Sequence, residues 1–317
     1  MPIETSVIIL NYKTSGHVDK LLQSLKTYVN HDLTEIIVAD NDSNDSYLKV
    51  LEEKFGFVKF IYNNSNGGFA YGNNKAVWQA QGEFLLFVNP DIVFKDDSIL
   101  LLTEYMKSNP NCGIVSGLLE DDKGNVIYCF NDYPGFLWEF YQMVGYGYDR
   151  KIDKLIKNPL IAHGKNFEVD WFHGALILIR KDDFISIGGF NENYFMYYED
   201  VELCFKVRRK LGKSIMCIPK VRVIHDTRAS IKNIGNDDIY TFHINRSKLI
   251  FFRNYKLLKS LALRLISFTG VLLRFAVLPV WRKYSGIRLK KFRQMTKVAK
   301  LYVSKGFLDK SIYEYTR

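Results

Sequence analysis

Cysteine is scarce in this chain, with 4 in 317 residues. No two of Cys112, Cys129, Cys204 and Cys217 stand in C-x-x-C spacing. Neither a zinc site nor a disulfide framework is signalled, and a reducing, cytoplasmic setting is expected. Low-complexity tracts and fixed-period repeats are absent, which excludes disordered linkers and solenoids. The amino end lacks a basic region ahead of an apolar stretch, so no secretory leader is expected. Long apolar runs are missing too. The longest uncharged run in the apolar segment 261–280 covers residues 265–273, well short of the ~20 that a bilayer span needs. The carboxyl end lacks acid: residues 251–317 hold 16 Lys and Arg against 2 Asp and Glu, net +14, while the first 250 residues carry net −4. A basic tail suits nucleic acid or an anionic membrane surface. No nucleic-acid motif accompanies it and the body is acidic, so nucleic acid is not expected as a partner.

Apolar residues are present in quantity, at 47% of the chain, and aromatic residues at 15%, enough for a sizeable core. Val7-Ile8-Ile9-Leu10 is a short continuous apolar run, the mark of a strand buried on both faces. Further strands are expected at 35–40, 58–61, 84–88, 175–180 and 221–224. Helices are expected at 18–25, at 46–55, from about Tyr71 to Ala80, and at 199–211, where Gly212 suits the stop. Strand and helix alternate with short connections, which argues for a parallel α/β sheet. Residues 110–180 read as strands plus long aromatic-rich loops.

In open α/β sheets, ligands bind beyond the carboxyl ends of the strands. Three expected strand ends carry polar residues: Asn11, Asp40-Asn41-Asp42, and Asn89-Pro90-Asp91. Each has an ordinary alternative. Asp40 and Asp42 suit either a nucleotide-base contact or an Asx turn. Asn89 and Asp91 suit either a divalent cation, held with phosphates, or a type I turn around Pro90. The loop with Asn66, Gly67, Gly68 and Asn73 suits either close approach to an anion at a helix start or a tight connection. Glu199-Asp200 follows the aromatic run 195–198 at a helix start. The dipole there favours an ionised carboxylate, which serves as a general base or simply caps the helix. His225 ends a strand as a metal ligand, a phosphate contact or a packing residue. Arg228, Arg246 and Lys248 are basic candidates for a diphosphate, with solvated surface as the alternative.

The ordered set of segments resembles a known family. The matches are Ser6-Val7-Ile8-Ile9-Leu10-Asn11-Tyr12, Ile37-Val38-Ala39-Asp40-Asn41-Asp42-Ser43, residues 66–74, and Phe87-Val88-Asn89-Pro90-Asp91. They continue through Gly174-Ala175-Leu176-Ile177-Leu178-Ile179-Arg180, Gly188-Gly189-Phe190-Asn191-Glu192 and residues 195–203. Over about residues 5–250 the chain resembles the family 2 inverting glycosyltransferases, most closely their rhamnosyltransferase-like branch.

The resemblance implies a GT-A fold, with a mixed, mostly parallel sheet flanked by helices. It would occupy residues 1–250, with a nucleotide-binding half at 1–95 and an acceptor half at 96–250. A basic amphipathic helical tail would follow at 251–317. It further implies that Asp40 contacts the base, that Asp91 is the metal-binding acid of an Asp-x-Asp motif whose first position is here Asn89, and that His225 completes the site for Mg2+ or Mn2+. Asp200, supported by Glu199, would be the general base, with Gly174 in the donor site.

The implied donor is dTDP-β-L-rhamnose, and the implied acceptor is a polyprenyl-diphosphate-linked glycan of bacterial surface polysaccharide, met at the inner face of the membrane. The alternatives are a UDP-sugar-dependent transferase of the same fold, or a non-catalytic subunit that binds sugar nucleotide or glycan. For the tail, the alternatives to an anionic membrane surface are packing on the catalytic domain and a homo-oligomer contact.

Overall fold

The computed structural model describes residues 2–144, 153–226, 237–277 and 288–303. Arg228, with Arg282, Lys283 and the last residues of the basic tail, lies outside them. Chain contacts divide the protein into two compact units. The first is Met1–Asp132, Lys154–Glu192 and Glu199–Lys232; the second is Tyr133–Asp153, Asn193–Tyr198 and Asn233–Arg317.

The first unit holds the sheet. Its strands are β1 (Thr5–Asn11), β2 (Thr34–Asp40), β3 (Val58–Tyr62), β4 (Phe84–Val88), β5 (Ile92–Val93), β6 (Cys112–Glu120), β7 (Phe130–Asn131), β8 (Phe167–Glu168), β9 (Trp171–Phe172), β10 (Leu176–Arg180) and β11 (Ser214–His225). Nine of them form one sheet in the order β3-β2-β1-β4-β10-β6-β11-β5, with β8 beside β11, and β7 pairs with β9. β1, β2, β3 and β4 run parallel, β10 runs antiparallel between β4 and β6, and β11 returns parallel to β6. The sheet is therefore mixed and mostly parallel.

The expected strands all form, and their burial explains why. β4 and the Val7-Ile8-Ile9 core of β1 are wholly buried, as continuous apolar runs covered on both faces must be. β6 is the element that sequence reading left inside an irregular stretch. Its nine residues are all buried, yet Gly113, Ser116 and Gly117 interrupt its apolar run. At Gly117 an added Cβ would come within 2.5 Å of the Val221 carbonyl, so the small residues let β11 lie close. All four cysteines are buried and unpaired, and burial pushes the Cys129 thiol up to about 12.

The helices α1 (Ser15–Tyr28), α2 (Tyr47–Lys54), α3 (Gly68–Val77) and α4 (Ser98–Ser108) complete the parallel half. α3 starts at Gly68, three residues before the expected Tyr71, because Gly68 at φ +90° turns the chain into it. At Gly72 a Cβ would overlap Leu10 and come to 2.6 Å from Asn41 Oδ1, so α3 sits directly on the carboxyl ends of β1 and β2.

The second unit is helical: α5 (Phe136–Val144) belongs to it, α6 (Pro159–Ala162), α7 (Lys181–Ser186) and α8 (Glu199–Lys206) to the first, and α9 (Asp237–Phe251), α10 (Leu257–Val277) and α11 (Arg288–Val303) to the second. A buried charge organises it. Glu139 on α5 is 1% exposed, and its Oε2 accepts from Lys248 Nζ of α9 at 2.9 Å and from Ser267 Oγ of α10 at 2.6 Å. Lys248 also donates to Gln142 at 2.7 Å. Lys248 is therefore neither a solvated surface residue nor available to a diphosphate.

Breaking a buried pair from one side leaves an uncompensated charge, at a cost of about 3–5 kcal/mol. Lys248→Met is expected to lower stability by that amount, and Lys248→Met with Glu139→Leu to recover most of it. Denaturant unfolding of the two variants checks this.

Candidate active site

Strand register brings the polar strand ends to one edge. Asn11 and Asp40 are direct partners across β1 and β2, and Asn11 Nδ2 donates to Asp40 Oδ1 at 2.7 Å. Ser43 adds its hydroxyl to the same oxygen at 2.6 Å and its backbone N–H to Oδ2 at 2.9 Å. Asp40 is thus buried and locally bonded, with Oδ2 the less occupied oxygen. It closes an Asx-type turn, and Oδ2 keeps acceptor capacity. Asp42 sits apart, exposed at φ +57°, as a turn residue.

Asn41 fixes the glycine loop to this edge. Its Nδ2 donates to the Gly68 carbonyl at 2.9 Å and its Oδ1 accepts from Asn63 at 2.9 Å. Asn66 Oδ1 accepts from the Gly68 N–H at 3.0 Å, which fixes the loop at the first turn of α3. Asn73 is buried and turns inward, donating to the Phe69 carbonyl at 3.0 Å.

The acidic strand end of β4 meets β11. In the antiparallel pairing of β11 with β5, His225 stands opposite Ile92, and the Asp226 N–H donates to the Asp91 carbonyl at 2.9 Å. His225 Nε2 lies 3.2 Å from Asp91 Oδ1, off the hydrogen-bond direction. Neither ring nitrogen has a hydrogen-bond partner among the described residues. Two cis ligands of one small divalent cation stand about 3 Å apart. The carboxylate oxygen and imidazole nitrogen therefore fit Mg2+ or Mn2+ in both spacing and chemistry. Among the described residues no cluster of three or more His, Cys, Asp or Glu could hold a metal. The rest of such a shell would come from water and phosphate oxygens. Asn89 lies at the same strand end, where its N–H donates to the Ala175 carbonyl at 3.0 Å.

That bond leads to Gly174, just before β10. The Gly174 N–H donates to Asp200 Oδ2 at 2.8 Å, and the Val201 N–H donates to Oδ1 at 2.8 Å. A Cβ on Gly174 would press on the Phe69 ring at 3.3 Å. Glu199 is buried beside Asp200, with Oε2 lacking a hydrogen-bond partner among the described residues.

Burial pushes the Asp200 carboxyl up to about 6, against the pull of its two backbone donors. It pushes Glu199 up further, and the charge of Asp200 adds to the rise. The helix dipole favours an ionised carboxylate here, and removal from water opposes it. Burial thus holds both carboxyls above the usual carboxylate range.

His173, next to Gly174, escaped sequence reading. It stacks on Trp171 at 5.2 Å, and burial, followed by the nearby His225 ring, brings it down to about 4. Its only sequence signal is its place beside the glycine.

Residues 6–186 match the family described as Glycosyl transferase family 2, more than half of the chain. This chain is a family 2 glycosyltransferase. The transferase is 28% identical over 251 residues to "Rhamnosyltransferase WbbL" of Escherichia coli K12, covering 76% of this chain and 85% of that one. It is 24% identical over 231 residues to the "N-acetylglucosaminyl-diphospho-decaprenol L-rhamnosyltransferase" of Mycobacterium tuberculosis, covering 69% and 75%. In fold it resembles a mannosyltransferase of Pyrobaculum calidifontis solved with GDP-Man and Mn2+, with a TM-score of 0.57, 14% identity and coverage of 100% and 89%. It also resembles S. aureus TarS, with a TM-score of 0.54, 15% identity and coverage of 97% and 81%.

In the transferase, the chain enters Glu199 from a loop that the second unit clamps. Tyr197 and Tyr198 are both left-handed, at φ +68° and +70°, a conformation that bulky residues keep only when their surroundings impose it. α9 imposes it at helical spacing. Tyr240 packs edge-on to Tyr197 at 5.1 Å, His243 stacks on Phe195 at 5.0 Å, and Phe251 meets Tyr198 at 5.7 Å. Arg246, fully buried, donates to the Asn193 carbonyl at 2.9 Å, and Ser247 to the Met196 carbonyl at 2.9 Å. Arg246, like Lys248, is thus committed within its own unit.

Arg246→Leu leaves the Asn193 carbonyl without this donor, a loss of about 2 kcal/mol for a charged bond. Amide exchange across residues 193–198 is expected to quicken while β1 and β4 stay protected; unchanged exchange in the loop would contradict the clamp.

Proposed function

We propose that the transferase moves a sugar with inversion from a nucleotide-diphosphate donor, and that Asp200 is its general base. The observation that carries this is the Asp200 carboxylate: fixed by two backbone N–H groups, largely out of water, and raised to about 6. A base poised just below neutral pH is ionised at work yet basic enough to take a proton.

The acceptor hydroxyl attacks the anomeric carbon from the face opposite the diphosphate. The new C–O bond forms as the bond to the leaving oxygen breaks, and Asp200 receives the hydroxyl proton. Glu199 stays protonated beside it and confines the single negative charge to Asp200. Asp91 and His225 would hold Mg2+ or Mn2+, which when bound offsets charge on the departing diphosphate. Asp40 receives the base N3–H on Oδ2, and the Gly67-Gly68 backbone gives the phosphates close approach.

The rhamnosyltransferase names of the relatives support L-rhamnose from dTDP-β-L-rhamnose as the sugar, giving an α-L-rhamnoside. The decaprenol-linked substrate in one relative's name supports a polyprenyl-diphosphate-linked glycan acceptor, used at the inner face of the membrane in surface polysaccharide synthesis.

Transfer should fail when Asp200 is protonated. kcat/KM is expected to fall as pH drops through about 6. Asp200→Asn should reduce transfer by ~10²–10⁴-fold at every pH. Glu199→Gln should keep the acid limb where it is, since Glu199 carries no charge there. A folded Asp200→Asn protein with full activity would sink the assignment. Rates measured with dTDP-rhamnose and with UDP-sugars in parallel decide the donor.

A further inference from the structure

Outside the reaction centre, the second unit carries α10. This helix has 21 residues, the length of a membrane span, yet it carries Lys259, Arg264 and Arg274. No helix among the described residues is long and apolar enough to cross a bilayer. Its two faces differ sharply. Leu263, Ser267, Gly270 and Val271 are buried and face α5, where a Cβ on Gly270 would come within 3.1 Å of the Met143 backbone. On the other face Leu258, Leu261 and Leu265 are 82%, 49% and 66% exposed, and Leu272 is also exposed. Their spacing of three, four and seven residues puts them on one stripe.

α5 adds exposed Phe136, Leu137 and Phe140. They lie at the same level as the exposed leucines, because Tyr255 bonds to Pro134 and Ser267 to Glu139. Exposed large apolar side chains gathered on two adjoining helices mark an interaction site.

The charge around it names the occupant. Between residues 251 and 303 the sequence has 13 Lys and Arg and no Asp or Glu. Arg253 and Lys256 are exposed at the head of the leucine stripe, Arg274 is exposed on α10, and Arg293, Lys297 and Lys300 are exposed on α11. A second copy of the chain would bring this positive surface against itself, since a two-fold contact uses the same patch twice. An anionic lipid surface opposes it with negative charge and takes the leucines into its acyl boundary.

We propose that the exposed face of α10, with Phe136, Leu137 and Phe140 of α5, is an interfacial anchor that lies in the headgroup layer of an anionic bilayer without crossing it. The proposal deepens the lipid-linked acceptor reading above. Its test uses no donor or acceptor, so the two fail separately.

The test is co-sedimentation of the full chain with phosphatidylcholine vesicles, with and without phosphatidylglycerol, at low and high salt. The wild type is expected to sediment with the phosphatidylglycerol vesicles and to be released by salt. Leu258→Ser, Leu261→Ser and Leu265→Ser together should weaken binding by about ten-fold per leucine, with an unchanged melting temperature. Arg253→Glu with Lys256→Glu should weaken it and flatten its salt dependence. Wild type that stays in the supernatant at low salt overturns the proposal. So does a leucine variant that binds equally well, and so does a dimer that the leucine variant breaks while no vesicle is bound.

Discussion

The bond from the Gly174 N–H to Asp200 is the constraint on which the rest of the site depends. It joins the start of β10 to the first turn of α8 at 2.8 Å. β10 in turn runs antiparallel to β4, with Leu176 opposite Val88, so the same short stretch answers to the strand end that carries Asn89 and Asp91. Only a residue without a side chain suits this position comfortably, because Phe69 from the glycine loop already lies against it. The bond also sets the electrostatics. Two backbone donors stabilise the Asp200 anion while burial opposes it, and the balance settles near neutral pH instead of at either extreme.

Within the second unit, two basic residues serve internal order. Its basic residues near the aromatic loop were open to a phosphate-binding reading, yet Arg246 and Lys248 are spent internally, one on a loop carbonyl and the other on buried Glu139. Arg246 holds the loop that carries two left-handed tyrosines directly ahead of Glu199, and Lys248 ties α9 to α5. Among the described residues of this unit, exposed basic side chains lie on α10, α11 and the short segment before α10, beside exposed leucines. Internal pairing and surface attraction thus divide the positive charge of one unit.

Much of the site was legible because it depends on local rules. Apolar runs of the right length located β1, β2, β4 and β10, and polar residues at their ends located Asn11, Asp40 and Asp91. Gly212 was expected to stop a helix and does so at φ +67°. What escaped depends on contacts between segments distant in sequence. β6 has glycines inside its apolar run, which makes sense only once β11 is seen against it. His173 has no spacing signal, and its character comes from burial and then from His225, 52 residues away. A helix terminus was expected to favour an ionised carboxylate in the Glu199-Asp200 pair. The cost of burial is invisible in a sequence, and it raises both groups.

The account turns on which carboxyl of that pair holds the proton near neutral pH. The direct measurement is a carbon-13 NMR titration of the side-chain carboxyls, with Asp200 assigned through Asp200→Asn and Glu199 through Glu199→Gln. The account predicts a midpoint for Asp200 at about 6, with Glu199 still protonated as Asp200 ionises. A midpoint for Asp200 at the ordinary carboxylate value of about 4, or ionisation of Glu199 before Asp200, would contradict it.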